Sequence, residues 1–275
     1  MSNPVRRLWI VAATIVSIVA IPAWAAVTST LATPLASLSF SPDIPVTFGK
    51  VYIDPSAVAL YGFSTGSLSL TKPALPAGVH VTGYAPWKSG QVLLTLNVAA
   101  TLLSDNKGDT VKVTPRDVVI FNTGTGFFGP LLFTGLSAGV PAGTDIDALA
   151  LGPANKNLIF SFDTTITLPK GSGMSLIVRP ADLVEFNGTT YTQLFSGSAS
   201  GVPAGLNLDA AAMLANGHFL LGFNAPGTIA AINFGSNDVL EYDPVHAAWS
   251  LAYQGTVHGW PDGSDIQALS AQIAP

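Results

Sequence analysis

One nine-residue segment recurs four times along this chain, and its spacing limits the folds that the chain can adopt. Each copy begins with an apolar or aromatic residue, proline, a small or turn-forming residue and glycine. We call it the marker, and its copies are Leu75–Gly83, Val140–Ala148, Val202–Ala210 and Trp260–Ala268. The marker glycines at positions 78, 143, 205 and 263 are 65, 62 and 58 residues apart. A period of this kind predicts a repeat architecture rather than two unrelated domains.

Between markers the sequence alternates short apolar runs with turns, which indicates strands and no helix of useful length. In each unit a first strand leaves the marker, and a second strand ends in Asn97, Asp163 or Asn224. A third strand is then expected to lead to a second recurring segment, and a final strand is expected to lead from that segment to the next marker. Each unit thus has about four strands. The copies of the second segment are Pro55–Tyr61, Pro115–Asn122, Pro180–Asn187 and Ser236–Asp243. Its aspartates Asp117, Asp182 and Asp238 are predicted to cap the turn before an apolar strand.

The two ends of the chain are complementary halves of one unit. The fourth marker is followed only by its own strand (Ala268 to Ile273), whereas a strand around Phe40 resembles the second strands but has no marker before it. The sequence therefore predicts an all-β fold, a four-bladed β-propeller-like ring of four-stranded antiparallel repeats closed by the N-terminal strand. Residues 34–275 would form this single β-repeat domain. The alternatives are a β-sandwich or a stack of β-repeats.

One stretch also resembles a known blade. Leu208–Asn224 places Asp209, Ala210 and Ala211 at the start of an inner strand, then an Asn216-Gly217 turn and a second strand with two phenylalanines. It is similar to the hemopexin-type blade, and the similarity implies four blades around a polar central channel. The disulfide that joins the first and last blades of that family has no counterpart, because this chain has no cysteine. The resemblance concerns architecture, which does not carry function.

The N-terminus predicts export. Residues 1–26 contain Arg6 and Arg7, an apolar run from Leu8 to Ile21, then Pro22 and the pattern Ala23-Trp24-Ala25. These are features of a cleaved secretory signal peptide, although an uncleaved membrane anchor is the alternative. We therefore expect a periplasmic or extracellular location in a bacterium, with no membrane span after cleavage.

Charge excludes one class of partner. The formal net charge of −5 would become −7 on loss of Arg6 and Arg7, and charged residues make up only 10% of the chain. Phosphate binding needs clustered lysines and arginines, which are scattered singly here. Nucleic acid is therefore not an expected partner.

Each marker carries two polar positions that alternate with an apolar one, so they are predicted to share a face of the inner strand. They are His80, Asp145, Asn207 and Asp265 at the first position and Thr82, Asp147, Asp209 and Gln267 at the second. One interpretation is that these side chains bond nearby backbone amides. The other is that they converge at one end of the channel as a binding site, where Asp145, Asp147, Asp209 and Asp265 would hold a hard cation such as calcium. No cofactor is required by any motif.

Motifs for catalysis are absent from the sequence. The four histidines share no metal-ligand spacing, and neither a nucleophile elbow nor a phosphate-binding loop occurs. The two glutamates, Glu185 and Glu241, occupy equivalent repeat positions, which favours a structural role over the two different roles of a glycosidase pair. The chain is therefore predicted not to be an enzyme.

Aromatic side chains beside turns suggest a ligand class. Trp87 and Trp260 are the candidates for stacking against sugars, and Trp260 is expected to be exposed; the alternative is that these rings pack between blades. The function hypothesis is an exported, non-catalytic binding protein that recognises a glycan or an envelope protein. The alternatives are an envelope polysaccharide hydrolase and a purely structural envelope protein.

Overall fold

The computed structural model describes residues 32–154 and 156–274. The predicted signal peptide, residues 1–26, lies outside the described residues. The described chain consists of strands and one 3₁₀ turn (Thr256–His258). No helix within these ranges is long and apolar enough to cross a membrane.

Sixteen strands form four antiparallel sheets of four strands each, and these are the blades of a propeller. Blade 1 contains, from the axis outward, β24 (Ile266–Ile273), β1 (Leu35–Pro42), β4 (Val58–Gly62) and β5 (Ser67–Thr71). Blade 2 contains β6 (Val81–Pro86), β7 (Gln91–Leu96), β10 (Val118–Asn122) and β11 (Phe128–Phe133). Blade 3 contains β12 (Ile146–Leu151), β13 (Leu158–Phe162), β16 (Leu183–Phe186) and β17 (Tyr191–Phe195). Blade 4 contains β18 (Leu208–Met213), β19 (Phe219–Phe223), β22 (Val239–Asp243) and β23 (Ala248–Tyr253).

The blades form a closed ring. The inner strands contact one another in the order β6, β12, β18, β24 and back to β6. In blade 1 the inner strand comes from the end of the chain and its neighbour from the beginning, with Leu38 opposite Ala271 and Phe40 opposite Leu269. The predicted four-bladed propeller and its closure by the N-terminal strand are therefore confirmed.

Each unit also contains a two-stranded hairpin that the sequence did not predict. The hairpins are β2–β3 (Val46–Phe48, Val51–Ile53), β8–β9 (Ala100–Leu103, Thr110–Val113), β14–β15 (Ile166–Gly171, Met174–Val178) and β20–β21 (Gly227–Ile229, Ile232–Phe234). They replace the single third strand expected before the second segment, and the second segment itself supplies the third strand of each blade. This insertion explains why the repeat is longer than a usual blade of about 40 to 45 residues.

Backbone hydrogen bonds join the two recurring segments across every blade boundary. The first residue of each inner strand donates its N–H to a carbonyl in the second segment of the preceding blade. The four bonds are Val81 to Pro55 (3.0 Å), Ile146 to Pro115 (3.0 Å), Leu208 to Pro180 (3.1 Å) and Ile266 to Ser236 (3.3 Å). The marker is thus the inter-blade connection of the ring.

The apolar core lies at the blade boundaries. Four clusters of buried side chains each combine residues from two adjacent blades. The equivalent outer-strand rings of Phe128, Tyr191 and Trp249 are at most 2% exposed, as the packing interpretation of the aromatic residues predicts. The expected exposure of Trp260 is wrong, because this ring is only 2% exposed and packs edge-on against Phe40 at 4.7 Å between ring centroids.

The capping role predicted for three aspartates is visible in the hydrogen bonds. Asp117 accepts the N–H groups of Thr114 and Gly135, and equivalent bonds link Asp182 to Arg179 and Gly197, and Asp238 to Gly235 and Gly255. All three carboxylates are buried, and each holds the loop before the third blade strand against the end of the fourth.

This capping geometry leaves no room for a side chain at Gly135. A Cβ atom there would lie 2.3 Å from the carbonyl oxygen of Arg116. Gly135→Ala is therefore expected to lower the free energy of unfolding by about 2 to 3 kcal/mol, because the backbone must shift to admit the methyl group. Urea denaturation measures the effect.

Gly124→Ala in the same blade is the matched control. Its Cβ would meet only Asn122 Oδ1 at 3.4 Å, so a change below about 0.5 kcal/mol is expected. Equal decreases in the free energy of unfolding of the two variants would contradict the close approach of Gly135 to the carbonyl oxygen of Arg116.

Candidate functional site

The polar positions of the markers lie at irregularities in the strand pairing. In β6, β12 and β18 the register with the second strand shifts between Val81 and Gly83, between Ile146 and Ala148, and between Leu208 and Ala210. In blade 1 the same shift falls between Ala268 and Ile266. Each shift removes Thr82, Asp147, Asp209 or Gln267 from the regular ladder, as a β-bulge does. The repeat therefore builds four bulges at one end of the inner strands.

Backbone groups at the first polar position are held from the opposite strand. The N–H groups of His80, Asp145, Asn207 and Asp265 donate to side-chain oxygens of Asn97, Asp163, Asn224 and Asp43 at 2.7, 2.8, 3.0 and 2.6 Å. The carbonyls of the same four residues accept the N–H groups of these partners at 3.1 to 3.2 Å. Side chains therefore do bond backbone amides where each inner strand begins, as one interpretation of the marker predicted. These side chains come from the ends of the second strands, however, and not from the marker itself.

Three polar side chains meet at this end of the channel. Asn207 Nδ2 donates to Asp147 Oδ2 at 2.5 Å and to Asp209 Oδ1 at 3.1 Å, so it bridges the inner strands of blades 3 and 4. We call Asp147 and Asp209 the acid pair. Among the described residues, the oxygens Asn207 Oδ1 and Gln267 Oε1 are buried without a hydrogen-bond partner. Three of the eight predicted polar residues, Asp147, Asn207 and Asp209, are thus in hydrogen-bond contact, and their role as a binding site stays a prediction.

Burial dominates the electrostatics of the acid pair. It raises the pKa of Asp147 to about 7, partly offset by the Asn207 hydrogen bond and reinforced by the charges of Asp163 and Asp145. It raises the pKa of Asp209 to about 8, and the charge of Asp147 adds to the effect. Desolvation also raises the pKa values of Asp145 and Asp265. Near neutral pH the channel end is therefore much less negative than its composition suggests.

The other predicted members of the polar ring, among them Thr82 and His80, make no hydrogen bond to the acid pair in the described part of the chain. Thr82 Oγ1 bonds Thr95 Oγ1 and the carbonyl of Ile146, both at 3.0 Å, so it joins blades 2 and 3. The charge of His80 acts on Asp54, whose pKa is lowered mainly by hydrogen bonds from Ser56. The fourfold symmetry of the sequence therefore breaks at the side chains.

The calcium hypothesis stays a prediction. Within residues 32–154 and 156–274, no three His, Asp or Glu side chains are grouped so as to hold a metal ion. Titration with calcium, followed by calorimetry on the native protein and on Asp209→Asn, remains its direct test.

The opposite end of the channel opens into a cavity of about 590 Å³. All four blades line it; the polar side chains come from blades 1, 2 and 3, and blade 4 contributes Ala212, Met213 and Ala215. The polar residues are Ser37, Ser39, Tyr84, Lys156, Ser270 and Gln272. Burial raises the pKa of Tyr84, and a hydrogen bond with Ser39 opposes that shift. We call this space the mouth cavity.

A second cavity of about 600 Å³ lies at the junction of blades 3 and 4. Its walls include Ala181 of the second segment and Val202 and Pro203 of the third marker. Neither cavity contains Trp87 or Trp260. Trp87 is half-buried, and Lys88 Nζ lies 5.4 Å from the centroid of its ring.

A histidine cluster in blade 4 was not predicted from the sequence. His218 Nδ1 lies 2.6 Å from Glu241 Oε1, and His246 Nδ1 lies 2.6 Å from Asp243 Oδ2. Glu241 is 3% exposed and also accepts hydrogen bonds from the N–H and hydroxyl groups of Thr33. The cluster anchors the segment that enters β1 onto blade 4. The sequence signal was one histidine before the second strand of this repeat, His218, and one just after its second segment, His246.

Comparisons with known proteins assign no family to this chain. No family model matches the chain, and no curated protein matches it. Among solved structures, the chain is similar to a protein of unknown function from Bacteroides caccae at 11% sequence identity. The match covers 76% of this chain and 69% of that chain with a TM-score of 0.36, a level that carries no argument about fold or function.

Proposed function

We propose that this protein is exported and acts as a non-catalytic binding protein that recognises a short glycan in the mouth cavity. The observation that carries the proposal is the lining of that cavity. Hydroxyl and amide groups of Ser37, Ser270 and Gln272 stand beside the aliphatic side chains of Leu60 and Leu269. Sugars present the same mixture of hydroxyl groups and apolar ring faces. The volume of about 590 Å³ is within the range of small-molecule sites.

The charge of the cavity supports a neutral ligand. Among the described residues of the lining, Lys156 is the one acidic or basic side chain, and the remaining polar groups are hydroxyls, amides and backbone. Neutral hydroxyl groups lose little on leaving water when each finds a hydrogen-bond partner. A strongly anionic polymer would instead require several cations at the site.

The polysaccharide hydrolase alternative has one observation in its favour, the acid pair with its raised pKa values. The pair lies near the start of the inner strands, whereas Ala150 and Leu151 of the mouth cavity lie at the end of β12. A glycan in the mouth cavity is therefore at the wrong end of the channel for these carboxyl groups. Release of reducing ends from a bound glycan would contradict the non-catalytic proposal.

A panel of short oligosaccharides tests the binding proposal, with affinities measured by calorimetry. Ser270→Leu places a bulky side chain in the mouth cavity, and we expect binding to weaken by at least about tenfold, since a lost hydrogen bond and a steric block together exceed 1.4 kcal/mol. Ser69→Leu, on the exposed outer strand β5, is the control and should bind as the native protein does.

Two outcomes would count against the proposal. Absence of binding across the panel, or equal binding by Ser270→Leu, would exclude the mouth cavity as a glycan site. Export is tested separately by cell fractionation. Finding the full-length protein, with residues 1–26 retained, in the cytosolic fraction would contradict the signal-peptide prediction.

A further inference from the structure

The junctions between blades contain a repeated slot that is filled in two places and empty in a third. The slot lies between the residue just before the capping aspartate and the next marker. In blade 2 that residue is Arg116, whose guanidinium donates to the carbonyl of Val140 at 2.8 Å. In blade 4 it is Asn237, whose amide donates to the carbonyl of Pro261 at 3.2 Å. Both side chains present planar N–H groups to the first two residues of a marker.

Blade 3 has Ala181 at the same position. Its methyl group cannot donate a hydrogen bond, and it does not fill the volume of an arginine or asparagine side chain. The cavity of about 600 Å³ lies at this point, bounded by Ala181 and by Val202 and Pro203, the equivalents of Val140 and Pro261 in the third marker. The cavity is therefore where a side chain stands in the neighbouring repeats.

We propose that the slot between blades 3 and 4 binds an external planar N–H donor group, the guanidinium or carboxamide of a small molecule or peptide side chain. Arg116 and Asn237 are internal examples of such a ligand, held by the same marker positions. This site is separate from the mouth cavity and is independent of the proposed glycan function.

The charged and polar walls of the slot define the ligand further. Asp163 lines the cavity; its Oδ1 accepts the N–H of Asp145, and its second carboxylate oxygen is the acceptor for a ligand. Asn207 and Asn224 also line the cavity, but Asn207 Nδ2 already donates to the acid pair and Asn224 Oδ1 already accepts the N–H of Asn207. Asp182 is also in the wall, but it is engaged by the N–H groups of Arg179 and Gly197. The exposed Arg179 side chain stands at the rim. A guanidinium beside Asp163 gains a charge-assisted bond, and an adjoining carboxylate on the same ligand would meet Arg179.

Ligand-observed NMR with four probes tests the chemistry. The probes are the methyl esters of arginine, citrulline, asparagine and lysine at equal concentrations, so that any planar N–H group belongs to the side chain. We expect the arginine ester to bind most tightly, and the citrulline and asparagine esters to bind measurably because they keep planar N–H groups. The lysine ester should bind at least about tenfold more weakly than the arginine ester, because its ammonium group lacks the fork geometry. Equal binding of the lysine and arginine esters would overturn the proposal.

Two variants locate the site. Ala181→Arg copies the sequence of blade 2, and it should abolish probe binding while raising the melting temperature of the free protein. Arg116→Ala empties the slot of blade 2 and should bind a second equivalent of arginine methyl ester, which restores part of the lost stability. If arginine methyl ester rescues Arg116→Ala but does not bind the native protein, the slot of blade 3 is not a ligand site. Unchanged probe binding in Ala181→Arg would also exclude it.

Discussion

Replacing Phe40 with alanine is expected to lower the free energy of unfolding by about 4 kcal/mol, in the range measured for truncation of fully buried phenylalanines. Phe40 lies on β1 and is completely buried. Its ring contacts Phe48 of the blade 1 hairpin, Tyr253 of blade 4 and Trp260 of the fourth marker, at centroid distances of 6.1, 6.4 and 4.7 Å. The variant therefore loses packing where the first and last parts of the chain meet.

Urea denaturation followed by tryptophan fluorescence measures this change, since Trp260 is a direct neighbour of Phe40. Phe40→Leu should lower the free energy of unfolding by less than Phe40→Ala does, because leucine keeps most of the apolar volume of the phenylalanine side chain. Leu136→Ala removes a side chain that is 68% exposed and should change stability by less than about 0.5 kcal/mol. If Phe40→Ala behaved like Leu136→Ala, the closing strand would contribute little to the stability of the ring.

Raising the pH from 5 to 9 is expected to destabilise the fold by on the order of 7 kcal/mol, because the native pKa values of Asp147 and Asp209 lie about two and about three units above pH 5 and each unit corresponds to about 1.4 kcal/mol. Burial raises the pKa of Asp147 to about 7 and that of Asp209 to about 8, whereas both carboxyl groups titrate near 4 in the unfolded chain. Between these values the native state binds more protons than the unfolded state. Stability is then greatest at the acidic end and falls as pH rises through the native pKa values.

The variant Asp209→Asn separates this effect from other titrations. Asparagine keeps an oxygen that can accept the hydrogen bond from Asn207, but it cannot ionise. We expect a smaller loss of stability between pH 5 and pH 9 than in the native protein, and higher stability than the native protein at pH 9. Leu136→Ala, which removes an exposed side chain that does not ionise, is the control and should keep the pH profile of the native protein.

A profile in which the native protein gains stability between pH 5 and pH 9 would contradict the raised pKa values. The lower limit of pH 5 is needed because Asp54 affects stability in the opposite direction. Hydrogen bonds from Ser56 lower the pKa of Asp54, so the stability that Asp54 contributes is lost as the pH falls through that lowered value. At pH 5 and above, the titration of Asp54 does not mask the effect of the acid pair.

The sequence predicted the ring well because its signals repeat. Four markers at similar spacing define the blades, and the strand around Phe40 has the pattern of β7, β13 and β19 without a marker of its own. The Asn or Asp at the end of each second strand was visible, and it holds the strand entrance. The hairpins were missed because most of their strands are only three or four residues long, so that each pair was taken as one strand. Three of the turns contain a glycine with a positive φ angle, Gly49, Gly108 or Gly173, but in β20–β21 the turn consists of Ala230 and Ala231, both with positive φ angles, and carries no turn signal.

The candidate sites were less predictable, because they depend on differences between repeats and on distant contacts. Trp260 occupies a marker position that holds leucine or valine elsewhere, and only the packing of Phe40 and Phe48 around it shows that it is buried. The slot at Ala181 can be recognised only after Arg116 and Asn237 are found to donate to carbonyls 24 residues further along the chain. A local sequence pattern contains neither the burial of Trp260 nor these hydrogen bonds.

The pairing of β1 with β24 also determines the order in which the protein can fold. Phe40 and Leu269 are neighbours in the sheet but are 229 positions apart in the chain, so closing this contact costs a large loop entropy and is expected to be slow. Until β24 is available, β1 has an unpaired edge able to join other chains. Blades 2 to 4 can assemble from local contacts first. Blade 1 is therefore the last part of the molecule to form, and kinetic competition between closure and intermolecular pairing decides the yield of native protein.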